Sequence, residues 1–516
     1  MSNVTERMPP ILRPTLPIPR PLAWLAEMFC LSTLGSLAGI SITGITLRST
    51  EVRPGDLYVG LRGAKSHGAL YADAAKAAGA VAILTDADGV AFARESGLPI
   101  IVAADPRELL GEMSAWIYGT ENSAPRAFGV TGTNGKTSVT YMIEALLRHL
   151  GVNTGLSSTA ERHIGEQSIV SRLTTPEATE LHALLALMRE DGVEAAAIEV
   201  SAQAIAHDRI GGIRFDVVGF SNLSHDHLDE FVDMERYLAV KATLFVPERA
   251  RTGVVSLDTH YGDEIVALSQ IPVTTISSIV GAGAEWAVQT LEEQSTFTTF
   301  TLTGPDGQSL TTRIPLIGAH MVANAGLAIV MLVQAGYSLR SINASLGVTG
   351  IEVTIPGRTE RVSGANSPAL YVDFGHSPDA FQNTLAAVRQ FTTGRIIMVC
   401  GADGDRDRTK RFDMGRVASE YADVFVVTDA HPRFEDPDLI RASLIAGAAS
   451  AVHPAELVEV IRPEKAIRHA VAIAEADDSI LWSGLGHQDY RDILGVRTPF
   501  DVRDEARQAL REYGWL

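Results

Sequence analysis

Cysteine is nearly absent from this chain of 516 residues: Cys30 and Cys400 are the only two. So distant a pair supplies no disulfide framework, and a reducing cytoplasm is the expected setting. Positive charge is also scarce. Lys and Arg number 43 against 62 Asp and Glu, a formal net charge of −19. That balance argues against a nucleic acid partner, and any anionic substrate has to be held by local basic clusters. Long hydrophobic runs are missing as well. The longest apolar stretch, 321–336, is interrupted by Asn324 and Gln334 and reads as a buried helix. The Pro-rich start lacks the apolar core and cleavage site of a signal peptide. There is no internal repeat and no coiled coil. The expectation is a soluble, cytoplasmic monomer with no membrane partner.

The chain is too long for one core, and three α/β domains are expected. Residues 1–21 read as a loosely ordered Pro-rich tail. In the first domain, 22–122, short apolar runs at 56–61, 81–84 and 98–102 alternate with Ala-rich helical stretches. The segment Glu121-Asn-Ser-Ala-Pro125 reads as a linker. In the second domain, 123–354, apolar strands at 195–200, 217–220 and 253–257 suggest a parallel sheet with crossover helices. A Thr-rich alternating stretch near 285–315 suggests a flanking antiparallel hairpin. In the third domain, 355–516, strands at 369–374, 396–399, 424–428 and 480–482 are separated by helices, a Rossmann-like pattern without a phosphate loop.

The most informative stretch is Gly129-Val-Thr-Gly-Thr-Asn-Gly-Lys-Thr137. A short strand precedes it. Apolar residues at Val139, Met142, Ile143, Leu146, Leu147 and Leu150 follow with helical period and stop at Gly151. Glycines at 132 and 135 let backbone N–H groups of Thr133 and Asn134 turn toward phosphate oxygens, and the helix N-terminus adds positive potential. Lys136 then reaches the terminal phosphates and the Thr137 hydroxyl holds Mg²⁺. Val130 stands where the strict phosphate-loop pattern has glycine, so the loop is a variant.

Glu199 ends the run Ala195-Ala-Ala-Ile-Glu199, where a carboxylate at a strand's C-terminal edge suits the nucleotide's metal. The segment Asn222-Leu-Ser-His-Asp-His-Leu-Asp229 alternates two histidines with aspartates just after a strand, which favours a metal or phosphate role. Lys241, in an almost wholly apolar stretch, reads by itself as a surface lysine that buries only its stem.

Together these pieces resemble the Mur ligase superfamily, specifically the UDP-N-acetylmuramoyl-tripeptide synthetase (MurE) family, from about residue 42 to 504. Thr131–Thr137 is similar to T-G-T-N-G-K-T, Glu199-Val-Ser201 to E-V-S, and 222–229 to N-L-S-x-D-H-L-D. The resemblance implies that Lys241 is carbamylated, turning a cation into an anionic metal ligand. It places Thr137 and Glu199 on one Mg²⁺, and His227 and carbamylated Lys241, with Glu199, on a second. The stretch Ser49-Thr-Glu-Val-Arg-Pro-Gly-Asp-Leu57 resembles the family's uridine-binding segment, with Arg48 and Thr50 replacing the usual Asp and Arg, and His67-Gly68 fits its following turn. Thr174 and Thr175, in Thr174-Thr-Pro-Glu177, and Ser201 and Arg209 align with contacts to the muramoyl-peptide substrate. Asn324 matches one of two asparagines near adenine; Met321 occupies the other position. Arg358 is implied at the γ-phosphate and Asp373 near the nucleotide. Arg406 in Gly404-Asp-Arg-Asp-Arg-Thr-Lys-Arg411 and Arg433 in Ala430-His-Pro-Arg433 are implied to clamp a carboxylate of the incoming amino acid.

Two departures bear on that amino acid. Members that add meso-diaminopimelate carry D-N-P-R where this chain has Ala430-His-Pro-Arg433, and G-K-G-H-E where it has Gly484-Leu-Gly-His-Gln488. Gln488 hydrogen-bonds but cannot pair charge with a distal ammonium. Ala202 and Gln203 also replace the family's usual Ser and His. The activity implied is ATP-dependent amide formation on UDP-N-acetylmuramoyl-L-alanyl-D-glutamate through an acyl phosphate, with an amino acid other than diaminopimelate. Lys136, His227, Lys241 and Arg358 would be its catalytic residues. Alternatives are another amide ligase of the superfamily, of folyl-polyglutamate or cyanophycin type, and a catalytically silent nucleotide-binding paralogue.

Overall fold

The computed structural model describes residues 11–63, 66–171, 173–364 and 366–516. Three sheets carry the chain. The first has five strands in the order Ser32–Leu34, Ile100–Val102, Ala82–Thr85, Asp56–Gly60, Gly44–Thr46; the last four are parallel and the first runs against them. The tail departs from expectation over 11–21, while residues 1–10 lie outside the described residues. Arg13 donates twice to Asp56 at 2.7 Å, and the Thr15 and Leu16 N–H groups donate to Glu190 at 2.7 and 3.0 Å. Asp56 is buried, and a buried carboxylate needs a counter-charge. A Pro-rich composition does not disclose where that cation comes from.

The central sheet has eleven strands. Seven run parallel: Thr154–Ser157, Ala195–Glu199, Arg126–Thr131, Phe215–Phe220, Ala250–Ser256, Val273–Ser277 and Trp286–Gln294. Their inner members read as unbroken apolar runs because helices cover both faces. The helices Lys136–His149 and Ala319–Gln334 cover one face, with Met142, Ile143, Leu146, Ile329 and Met331 fully buried there. At about 1.5–3 kcal/mol for each large side chain buried, this layer anchors the segment that carries Lys136. The expected flanking hairpin near 285–315 is a three-stranded meander continuous with the sheet. An unforeseen second edge, Glu161–Ile164 and Gln167–Val170, extends the other side.

The third sheet orders Glu360–Arg361, Ala369–Asp373, Ser479–Ser483, Ile396–Cys400, Val424–Val427 and Glu456–Glu459, all parallel but the first. A separate hairpin, Tyr490–Ile493 with Val496–Pro499, follows it. Among the described residues no helix is long and apolar enough to cross a membrane.

Candidate active site

A cleft of about 1150 Å³ opens beyond the carboxyl ends of the central and third sheets. Strand Arg126–Thr131 delivers the phosphate loop to it. Gly132, at φ +150°, lies where a Cβ would come within 2.0 Å of Ser221 Oγ; Gly135, at φ +88°, leaves no room for a Cβ beside Asn324 Oδ1. Only glycine fits either place. The loop is braced by the next strand's end. Thr133 N–H donates to Asn222 O at 2.9 Å, Asn134 N–H to Asn222 Oδ1 at 3.0 Å, and Ser221 Oγ to Asn134 O at 2.6 Å. Contrary to the sequence expectation, these two N–H groups therefore brace the loop and do not face a phosphate. Lys136 Nζ curls over the loop onto Gly132 O at 3.0 Å and Thr133 O at 2.8 Å. Burial pushes its pKa down, while the Glu199 and Asp226 charges oppose that.

Glu199 is fully buried at its strand's end. Its oxygens take the Thr159 N–H at 2.8 Å and meet the Thr159 hydroxyl at 3.0 Å. The same hydroxyl reaches Thr174 Oγ1 at 3.0 Å, and Thr175 Oγ1 donates to the Glu199 carbonyl at 2.7 Å. The Glu199 carboxylate and the Thr174-Thr175 pair are thus one hydrogen-bonded unit, with Thr159 as a bridge that sequence reasoning missed. Ser201 caps the helix Ala202–Ala206. Arg209 pairs with Glu177 at 3.0 Å. His227 sits at φ +57°, its Nδ1 tied to Gln203 Nε2 at 3.0 Å and its Nε2 3.6 Å from Asp226 Oδ2. The substitution at 203 therefore touches the histidine of interest directly.

Lys241 is not a surface lysine. It is 1% exposed, and Nζ donates to Gly132 O at 2.9 Å from 4.7 Å over the Tyr237 ring. Burial first, and the Lys136 charge next, push its pKa well below the ordinary lysine value. Its apolar neighbours in sequence reflect a helix packed under the phosphate loop, not a stem lying along the surface.

Arg358 crosses from the third sheet to donate to Thr137 Oγ1 at 2.9 Å, its guanidinium 4.5 Å over the Phe374 ring. Asp373 takes the N–H groups of Thr359 at 2.8 Å and Gly375 at 2.7 Å, so it fixes the backbone beside Arg358. Arg406 and Arg433 lie in the same part of the cleft; partial burial, then repulsion from Arg433, lowers the Arg406 pKa. Asp403 holds Arg433 at 3.2 Å. The N–H of Asp492 donates to His431 Nδ1 at 2.9 Å, so the His431 proton sits on Nε2, 2.6 Å from Gln488 Oε1. Gly484, at φ +111°, begins the turn to Gln488. Of the candidates read from the sequence, Ser49 lies outside this cleft, in a short turn of the first sheet's region. Gly132 and Lys241 are hydrogen-bonded to each other just outside the lining, and the others line the cleft.

Three segments match Mur ligase families: 41–118 the Mur ligase family catalytic domain, 130–332 the Mur ligase middle domain, and 357–486 the Mur ligase glutamate ligase domain. A UDP-N-acetylmuramyl-tripeptide synthetase of Leifsonia xyli subsp. xyli is 56% identical over 99% of this chain and 100% of its own length. The chain belongs to the Mur ligase family. This Mur ligase is also 43% identical, over 91% of its length and 93% of the relative's, to a UDP-N-acetylmuramoyl-L-alanyl-D-glutamate–2,6-diaminopimelate ligase of Streptomyces avermitilis. A solved diaminopimelate ligase of that name aligns with TM-score 0.64 at 26% identity, covering 96% of this chain and 99% of that one. A folylpolyglutamate synthase of Mycobacterium tuberculosis shares the fold with TM-score 0.60 at 20% identity, over 79% of this chain and 96% of that one.

Family membership makes this an ATP-dependent ligase, and the cleft has the parts such a reaction needs. Lys136 and Arg358 flank the phosphate loop, where fixed cations offset charge on a transferring phosphoryl group. The 222–229 loop behaves otherwise than its composition suggested. Among the described residues no three His, Cys, Asp or Glu side chains converge to hold a metal unaided. Asp226 turns to Lys410 and His225 to Thr409, so the loop's ligand-type side chains are divided between the cleft and a neighbouring element. Thr137 Oγ1 and the Glu199 carboxylate still fit Mg²⁺, which binds through one or two carboxylates completed by phosphates and water.

Proposed function

We propose that this Mur ligase joins the free carboxylate of UDP-N-acetylmuramoyl-L-alanyl-D-glutamate to the amine of an amino acid other than meso-diaminopimelate, in the cytoplasm and as a monomer. The observation that carries the reading is one cleft with a phosphate-binding end, Lys136, Thr137 and Arg358, and a two-guanidinium end, Arg406 and Arg433, with Thr174, Thr175, Ser201 and Arg209 lining it as well. The near relative's name, a tripeptide synthetase, supports the same substrate. Ser49, with the first domain, would take the uridine end.

Thr137 and Glu199 would hold one Mg²⁺; His227 and Lys241, once carbamylated, would hold a second. The metals would offset phosphate charge. Lys241 Nζ donates to Gly132 O, and its suppressed charge favours the uncharged amine that would react with CO₂ to give an anionic oxygen ligand. The backbone N–H groups of Gly135, Lys136 and Thr137, where the helix begins, would seat the nucleotide, with Asn324 and Asp373 beside it. Lys136 and Arg358 would draw charge from the γ-phosphoryl group as the substrate carboxylate attacks it. The amine then attacks the acyl phosphate carbonyl, and phosphate leaves. The planar forks of Arg406 and Arg433 suit the amino acid's carboxylate. Gly484 and Gln488 would border its side chain.

ADP release measured with UDP-muramoyl-dipeptide, a folate or neither, each across an amino acid panel, tests this. Release should need the dipeptide and an amino acid together. Response to the folate alone, or to nothing, would remove the assignment.

A further inference from the structure

The 222–229 loop is gripped from the third domain at several neighbouring positions. Asp226 Oδ1 accepts from Lys410 Nζ at 2.8 Å, with side-chain exposures of 6% and 8%. His225 Nε2 meets Thr409 Oγ1 at 2.9 Å. The Leu228 N–H donates to Asp407 Oδ2 at 3.3 Å, while Asp407 Oδ1 takes the Thr409 N–H at 2.9 Å. Among the described residues, Asp226 with Lys410 is the one pairing of a carboxylate with Lys or Arg between the central and third domains. Both loops lead directly to the reacting groups. Asp226 Oδ1 also accepts the His227 N–H at 3.0 Å, within the turn that holds His227 at φ +57°. On the other side, Arg406 lies on the same short loop as Asp407, just before the helix that Lys410 opens.

We propose that Lys410 is a positioning residue: through Asp226 it latches the third domain onto the central one, setting Arg358 against the phosphate loop and Arg406 at the amino acid end of the cleft. A buried ion pair tolerates little displacement, because either charge left alone inside is costly. The pair therefore selects one closed arrangement over a range of loose ones. This inference rests on the proposed amide-forming reaction, in which closure keeps water from the acyl phosphate. When the latch is missing, water attacks the acyl carbonyl, phosphate leaves and the carboxylate is regenerated, so ATP is spent without an amide.

Lys410→Met keeps length and removes charge; Lys410→Arg keeps charge. Lys410→Met should bind ADP as the parent does, while the amino acid KM rises about tenfold or more, an effect of the size expected from disrupting a buried pair. ADP formed should exceed amide formed, and Lys410→Arg should recover part of both. Small-angle scattering with ADP bound should show Lys410→Met more extended than the parent. Unchanged amino acid KM with equal ADP and amide would overturn the latch. A parallel loss of ADP binding would also overturn it, marking Lys410 as a folding residue. If the parent makes no amide at all, the functional reading fails, and scattering alone decides whether the latch closes the domains.

Discussion

Gln488→Glu should turn this enzyme toward meso-diaminopimelate. His431 accepts the Asp492 N–H at Nδ1, 2.9 Å away, and so presents Nε2–H to Gln488 Oε1 at 2.6 Å. With its oxygen thus engaged, Gln488 offers only amide hydrogens to the cleft, and a distal ammonium meets donors where it needs an acceptor. A carboxylate at 488 would keep the His431 bond with one oxygen and free the other for the ammonium. A hydrogen bond to a charged group is worth about 1.5–3 kcal/mol. At roughly 1.4 kcal/mol per decade, that predicts a gain of about 10- to 150-fold in relative kcat/KM. The assay compares meso-diaminopimelate with lysine, ornithine, diaminobutyrate, homoserine and alanine for parent and variant. A parent that already prefers diaminopimelate by about tenfold, or a variant whose preference does not move, would refute the reasoning.

Further outcomes follow from the cleft. Lys136→Ala should fold normally and lose amide formation, since the phosphate loop has no other cation on its own backbone segment; near-normal turnover in a folded variant would contradict the nucleotide assignment. Lys241→Ala should be nearly inactive and regain part of its rate with acetate, which can replace a carbamate, whereas full activity without acetate would return Lys241 to a packing role. Although burial opposes it, the carboxylates of Glu144 and Glu161 push the His163 pKa up to about 9, above the ordinary 6.5, so the stabilisation is complete below pH 6.5 and lost as pH rises toward 9. At 1.36 kcal/mol per unit this is on the order of 3 kcal/mol. The Tm gap between parent and His163→Gln should shrink over that window, and a gap independent of pH would show that the imidazolium contributes nothing.

Much of the architecture was legible in the sequence because parallel strands covered on both faces leave unbroken apolar runs, as at 195–198 and 424–427. The phosphate loop was legible because glycines, lysine and threonine at a strand-to-helix junction have few other uses. What escaped has physical reasons. The strands Tyr490–Ile493 and Val496–Pro499 bury little, so no hydrophobic period marks them. The ordering of 11–16 depends on Asp56 and Glu190, distant in sequence. Lys241 looked like a surface residue because its burial comes from the overlying loop, not from its own helix. The division of the 222–229 loop between cleft and latch needed Lys410 in place, and no local pattern links residues so far apart in the chain.

In the proposed reaction the substrate's carboxylate is activated by phosphoryl transfer before the amine attacks. This activation is tested most directly with UDP-muramoyl-dipeptide carrying ¹⁸O in its free carboxylate, incubated with ATP and the preferred amino acid, followed by mass analysis of the phosphate released. The acyl phosphate route predicts that one labelled oxygen passes into phosphate and the other stays in the amide. Amide formed with unlabelled phosphate would contradict it.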